Sequence, residues 1–140
     1  MRIHKTLHPA LASLILCVLL VLPSAAKTPA SAIDPGYVSA LAAADHLLQA
    51  WQSGDIESGV ALLTSHAKDA ATSDTVEKFF SGSELSSYEI GRGKLLKRGR
   101  YEFPIVLVSG TSKDAHSHRR FSSIIVVNTG NNDWAVDKLP

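Results

Sequence analysis

The apolar residues of this chain follow two different periods. From residue 37 to about residue 80 they recur every three or four positions, which is the spacing of one face of a helix. Gly54 suits the left-handed position that ends a helix, and Asp55 is able to cap the next one. Asp74 and Glu77 have the spacing of a capping box before a third helix. The predicted helices are 37–51, 56–64 and 75–80.

After Ser83 the apolar period becomes two, which predicts strands. The segments 97–100 and 129–133 contain glycine among polar residues, so each is interpreted as a hairpin turn. Helices followed by strands with short connections favour an α+β fold, in which the N-terminal helices pack on one face of a four-stranded antiparallel sheet. The predicted strands are 88–96, 101–109, 119–128 and 134–139.

The two central predicted strands are apolar on both faces. Phe103 and Val106 lie on opposite faces of one strand, and Phe121 and Ile124 do so on the next. If helices cover one face, the other face must meet a partner, a ligand or a second copy of the chain. We therefore expect a homodimer through the open face. Pro104 cannot donate to a ladder, which predicts an edge position or a bulge.

The N-terminal segment has the layout of an export signal. Arg2 and Lys5 precede an apolar run over 10–22, and Pro23 and small residues follow it. The run is shorter than the roughly 20 residues that cross a bilayer. We therefore expect a periplasmic or secreted protein without a membrane span after cleavage. The expected parts are a signal peptide (1–26), a linker (27–36) and a folded domain (37–140).

Cys17 lies within the apolar run and does not have the surroundings of a lipid-attachment site. Such a site needs a small residue before the cysteine and a polar chain after it, whereas Leu16 and Val18 flank Cys17. Cleavage leaves a domain without cysteine. This excludes a disulfide framework, a thiol nucleophile and a thiolate metal site in the domain.

Charge is unevenly distributed along the expected domain. Residues 33–89 carry nine acidic and two basic side chains, whereas residues 90–140 carry nine basic and four acidic ones. Two layers with differently charged solvated faces account for this distribution. The alternative is a basic surface for an anionic ligand.

A family resemblance joins the helical and the strand segments. Trp51 followed by Gly54-Asp55 resembles the opening of the nuclear transport factor 2-like superfamily, which includes the ketosteroid isomerase-like proteins. The final segment, Trp134-Ala135-Val136, resembles the end of many small exported members. The resemblance implies a cone-shaped α+β domain whose curved sheet wraps the first helix and encloses a pocket. Members include isomerases, dehydratases and non-enzymatic binding or dimerisation modules, and the fold does not decide among them.

The resemblance carries no catalytic residue and no cofactor over to this chain. Enzymes of this type use strand carboxylates and tyrosines that project into the pocket. Here the predicted strands contain only Glu89, Glu102 and Asp137, and none lies among apolar neighbours with a matching second acid. We therefore favour a non-enzymatic binding or dimerisation domain. A dehydratase or isomerase using a pocket acid–base residue is the alternative.

Basic and aromatic residues are mixed over 88–103, and together with Trp51 they supply the candidates for ligand binding. Single-strand nucleic-acid binders mix these residue types, but export argues against that partner. A solvated strand and turn is the simpler interpretation, and contact with an anionic ligand is the alternative. The expected partner is a small apolar or anionic ligand or an envelope protein. The candidate ligand-binding residues are Trp51, Tyr88, Arg92, Tyr101 and Phe103.

A second candidate site lies between the two long strands. In an extended chain Asp114, His116 and His118 project to one side, and two imidazoles with a carboxylate suit zinc or a similar ion. A polar hairpin loop is expected at this position in any case. Metal binding is therefore an alternative hypothesis, and we expect no metal in the domain.

Overall fold

The structure, a computed structural model, describes residues 33–82, 85–113 and 116–140. The predicted signal peptide and the linker up to residue 32 lie outside the described residues. The helices are α1 (Pro35–Ser53), α2 (Ile56–Ala61), α3 (Ser65–Ala70) and α4 (Ser73–Phe80). The strands are β1 (Leu85–Ile90), β2 (Lys94–Lys97), β3 (Arg100–Gly110), β4 (His118–Gly130) and β5 (Asp133–Lys138). Among these helices, none has the length and apolarity that a membrane-spanning helix needs.

The described strands form one antiparallel sheet in the order β1-β3-β4-β5, and β2 also pairs with β3. The predicted α+β class and the antiparallel pairing are confirmed. The sheet has five strands in the described residues rather than the four that the apolar pattern predicts.

The predicted strand 88–96 is divided into β1 and β2, because Pro104 and Phe103 of β3 interrupt the regular pairing opposite it. Pro104 on β3 has no N–H to donate, and the N–H of Gly91 donates to the Pro104 carbonyl oxygen at 2.7 Å. A Cβ on Gly93 would lie 2.4 Å from Cε1 of Phe103, so the backbone approaches this ring more closely than another residue allows. Pro104 lies on β3, a central strand, so the predicted edge position is wrong, and the irregularity falls in the strand beside it.

Helix α1 begins two residues before its predicted start. Pro35 occupies its first turn, where a missing N–H costs nothing, and the Asp34 carboxylate accepts a hydrogen bond from the N–H of Gly36 at 2.9 Å. Gly54 ends the helix with φ at 70°, and Asp55 caps α2 through the N–H of Ser58. The Gly54-Asp55 break is confirmed.

The segment after α2 differs from the prediction because it pairs with the sheet. The second helix ends at Ala61 rather than at residue 64, and Leu63 forms a parallel bridge to Val136 of β5. Thr64 then caps α3, which the apolar pattern does not predict, by accepting a hydrogen bond from the N–H of Ala67. A tertiary contact therefore shortens one helix and starts another.

Helix α4 begins before its predicted start and packs on α2. Thr72 is its cap and accepts a hydrogen bond from the N–H of Thr75, so the predicted capping box at Asp74 is wrong. The ring of Phe80 at the end of α4 is fully buried. It lies so close to α2 that a Cβ on Gly59 would be 2.2 Å from it.

The core lies between the helices and one face of the sheet, which we call the helical face. Alternate residues of β3, from Tyr101 to Leu107, are buried there, as the period of two predicts. On the opposite, outer face, Val106 pairs directly with Phe121, whose side chain is 75% exposed. Fully buried members of the core are Ala40, Ala44, Leu47 and Leu48 of α1, Phe80 of α4, and Phe103, Ile124, Val126 and Val136 of the sheet.

Candidate functional site

A cleft of about 550 Å³ opens between α4 and the neighbouring ends of β3 and β4. Its apolar floor comes from three elements: Trp51 of α1, Phe79 of α4 and Leu107 of β3. Trp51 and Leu107 are only 6% and 4% exposed, so the floor continues into the core. The volume falls within the range of roughly 300–1,000 Å³ that is typical of small-molecule sites.

Contacts among aromatic rings hold the floor of the cleft in place. The ring centroids of Trp51 and Phe79 are 6.4 Å apart with their planes 30° apart. Phe79 in turn meets the buried Phe80 edge to face, at 4.9 Å and 78°. The aromatic surface that faces the cleft is therefore braced by the packing of α4 on the core.

Basic side chains border the same cleft. The register of β3 and β4 pairs Arg120 with Leu107 and His118 with Ser109. Residues directly opposite on antiparallel strands share a face, so Arg120 and His118 lie on the helical face beside the apolar floor. The basic residues that line the cleft are Lys78, His118, Arg119 and Arg120.

The described side chains that line the cleft carry charge of one sign. Within the described ranges, no Asp or Glu side chain lines it. Lys78 and Arg120 also form no ion pair with a described carboxylate. The arrangement is an apolar surface with a positively charged border, which attracts ligands of the opposite charge. The remaining lining residues are Thr75, Ser81, Gly82, Ser109 and Pro140.

Tyr88 belongs to the same row of the sheet, opposite Leu107, but its hydroxyl is already engaged. It donates to Asp45 of α1 at 2.7 Å, and Gln49 donates to the other oxygen of that carboxylate at 2.7 Å. Burial and the nearby Asp45 carboxylate raise the pKa of Tyr88 to about 12. Tyr88 is thus a neutral donor at physiological pH, and it ties β1 to α1.

Tyr101 makes a matching tie at the start of α1. Its hydroxyl donates to the Asp34 carboxylate, and this bond together with burial raises the pKa of Tyr101 to about 12. The same bond, with the N–H of Gly36, holds the pKa of Asp34 below its ordinary value. Tyr101 also borders a second cleft of about 570 Å³, whose lining includes Arg98 and Trp134. Because Asp34 and Arg98 both line that cleft, it lacks the single sign of charge of the first.

The fold is matched by solved structures. A ketosteroid isomerase-like protein from Erwinia carotovora atroseptica SCRI1043 is similar with a TM-score of 0.55 and 14% identity, over 75% of this chain and 93% of that one. An NTF2-like protein of unknown function from Shewanella oneidensis MR-1 gives a TM-score of 0.51 and 10% identity, over 72% and 93%. The chain has the nuclear transport factor 2-like fold. No family model and no curated protein matches the sequence.

Within this fold, the five candidate ligand-binding residues lie in different surroundings. Trp51 lines the cleft. Tyr88 and Tyr101 lie on the helical face and bind α1, and Phe103 is fully buried in the core. Arg92 is exposed in the connection between β1 and β2 and lines none of the clefts described above. The structure therefore groups Trp51 with a different set of residues, namely Lys78, Phe79, Leu107, His118 and Arg120.

The proposed metal ligands are only partly described. His118 lines the main cleft, whereas His116 lines a separate cleft of about 430 Å³ beside Ser117. Asp114 lies outside the described residues. In the part of the chain that the structure describes, no three His, Cys, Asp or Glu residues are grouped to hold a metal. The metal hypothesis, which needs Asp114, stays a prediction.

Two of the strand acids of the domain are bound to basic residues. Asp137 accepts hydrogen bonds from Arg100 and from the Thr64 hydroxyl, both at 2.8 Å, and His66 Nδ1 lies 3.3 Å from it. Burial alone would raise the pKa of Asp137, but these partners outweigh it and hold that pKa below its ordinary value. Glu102 pairs with Lys94 at 2.7 Å. These carboxylates join elements of the fold together.

Proposed function

We propose that this chain is an exported binding domain that holds a small, partly apolar molecule in the cleft between α4 and the sheet. The observation that carries the proposal is the apolar floor formed by Trp51, Phe79 and Leu107 at the base of an open cleft of about 550 Å³. Small-molecule sites combine such a floor with a few polar groups that orient the ligand.

The engagement of the carboxylates supports binding over catalysis. A proton abstraction needs a general base beside the substrate, and in ketosteroid isomerase-like enzymes that base is a carboxylate. The Asp45 carboxylate, which faces the sheet from α1, already accepts hydrogen bonds from Tyr88 and Gln49. The cleft offers Lys78 and His118 but no Asp or Glu side chain among the described residues. A dehydratase or isomerase would have to work without the usual carboxylate base.

Fluorescence of Nile red, a neutral apolar dye, tests the proposal on the protein purified after expression of the full chain. We expect saturable binding that Ser109→Phe weakens at least tenfold, because Ser109 lines the cleft and a ring there fills it. Ser87→Phe is the matched control, since Ser87 pairs with Val108 and therefore lies on the outer face. Failure of the dye to bind, or equal binding to both variants, would contradict the proposal.

The outer face supports a second proposal, that the domain forms a homodimer. Phe121 is 75% exposed there and lies directly opposite Val106 on β3. Contiguous exposed apolar surface marks interaction sites, and Phe121 and Val106 are neighbours on this face. Size-exclusion chromatography with light scattering tests this: we expect a dimer that Phe121→Ser converts to a monomer.

Leu95→Ser is the control for the dimer, because Leu95 is 57% exposed but pairs with Tyr101 and so belongs to the helical face. We expect this variant to stay dimeric. A wild-type protein that is monomeric at all micromolar concentrations would remove the proposal.

A further inference from the structure

The charge of the cleft is not explained by an apolar ligand. A neutral apolar molecule needs only the floor, yet Lys78 approaches from α4 and Arg120 from β4. Neither side chain forms an ion pair or side-chain hydrogen bond with a described residue. The hydrogen-bond donors of Lys78 and Arg120 are therefore available to a ligand.

Two other cations of the same sheet, Arg100 and Lys94, form ion pairs. Arg100 pairs with Asp137 at 2.8 Å, and Lys94 pairs with Glu102 at 2.7 Å. Arg120 lies on the same antiparallel sheet without such a partner in the described residues. Arg100 and Lys94 join strands of the sheet through their ion pairs, whereas Arg120 has no such structural role among the described residues.

The position of Arg120 suits it to hold an anion at the end of an apolar surface. Leu107 lies directly opposite it, and Tyr88 lies opposite Leu107 on the next strand. Arg120 is exposed, whereas Leu107 is almost fully buried, so a charged group and an apolar surface meet within one row of the sheet. A guanidinium binds a carboxylate through two parallel hydrogen bonds, and nearby apolar groups strengthen the attraction.

Resting on the proposed function, we infer that the ligand is an anionic amphiphile. Its apolar part lies on Trp51, Phe79 and Leu107, and its carboxylate or similar oxyanion is bound by Arg120 with Lys78 as a second cation. Arg120 is then the residue that determines the charge specificity of the site.

Decanoate and 1-decanol test this inference, because they share one apolar chain and differ in charge. Each is used to displace Nile red from the protein purified after expression of the full chain. We expect decanoate to bind at least tenfold more tightly than 1-decanol. Arg120→Gln should weaken decanoate binding far more than 1-decanol binding and so remove most of this preference, and Arg120→Lys should keep part of it.

Arg92→Gln is the matched control, since Arg92 is an exposed arginine of the same domain that does not line the cleft. We expect it to keep the preference, and circular dichroism checks that each variant is folded. Equal affinity for the two probes overturns the inference while leaving the proposed function intact. Equal loss in Arg92→Gln and Arg120→Gln also overturns it, because the effect would then come from overall charge. A protein that binds no Nile red refutes the proposed function itself, and the inference with it.

Discussion

A single methyl group on Gly59 is expected to destabilise the domain. The added Cβ would lie 2.2 Å from Cε1 and 2.3 Å from Cζ of Phe80. Nonbonded carbon atoms prefer separations of about 3.5–4.0 Å, so the ring or α2 must move by more than about 1 Å. Phe80 is fully buried, and its ring has no solvent-exposed side toward which to move.

Two effects of opposite sign determine the size of the change. Overpacking of a core costs about 1–3 kcal/mol, and the short separation here places Gly59→Ala near the upper limit. Alanine gains about 0.5–1 kcal/mol over glycine inside a helix. We therefore expect a net loss of about 2 kcal/mol in the free energy of unfolding, or a Tm lower by roughly 10 °C.

Urea and thermal unfolding followed by circular dichroism measure this loss. The double variant Gly59→Ala/Phe80→Leu is the control, because removing the Phe80 ring removes the steric clash with the added methyl group. Adding Gly59→Ala to Phe80→Leu should therefore be neutral or stabilising. A Gly59→Ala protein with an unchanged or higher Tm would refute the packing described between α2 and α4. Nile red binding should weaken in Gly59→Ala, since Phe80 braces Phe79 at the cleft.

Two further predictions concern stability and pH. The pKa of Asp137 is depressed from its ordinary value of 3.8, so its contribution is present above that pH and is lost as the pH falls through the folded-state pKa. Asp137→Asn should therefore cost about 1–2 kcal/mol at pH 7, and urea unfolding should show the gap closing in acid; a constant gap down to pH 2 would contradict this. The pKa of Tyr88 is raised from 10.0 to about 12, so its contribution is complete below pH 10 and is lost as the pH rises towards 12. Tyr88→Phe should cost about 1 kcal/mol at pH 7 and should lose less stability than the wild type between pH 10 and 12 in thermal unfolding. An identical alkaline loss in both proteins would show that the bond to Asp45 contributes nothing.

Residues that act through the local backbone were predicted correctly from the sequence. Gly54 ends α1 and Asp55 caps α2, because a left-handed residue and a short acceptor are local requirements of helix ends. The alternation of Phe103 and Val106 likewise assigned the two faces of β3, since a strand turns successive side chains to opposite sides. Features that depend only on residues nearby in the sequence can be predicted without knowledge of the tertiary structure.

Boundaries that depend on distant partners were predicted wrongly. Leu63 leaves the second helix because Val136, far along the chain, offers it a bridge. Gly91 and Gly93 interrupt the first strand because Pro104 and Phe103 lie across from them. In both cases a tertiary contact outweighed a local preference.

The sequence by itself determined the fold class, the break between the first two helices and the two-faced character of the long strands. The period of two over 118–124 also places His118 and Arg120 on the face of Ile124. Only the tertiary structure decided the cleft, because its residues come from separate elements and meet through strand register and helix packing. Leu107 lies opposite Arg120, and Trp51 meets Phe79, because of backbone pairing and core packing that no local pattern specifies.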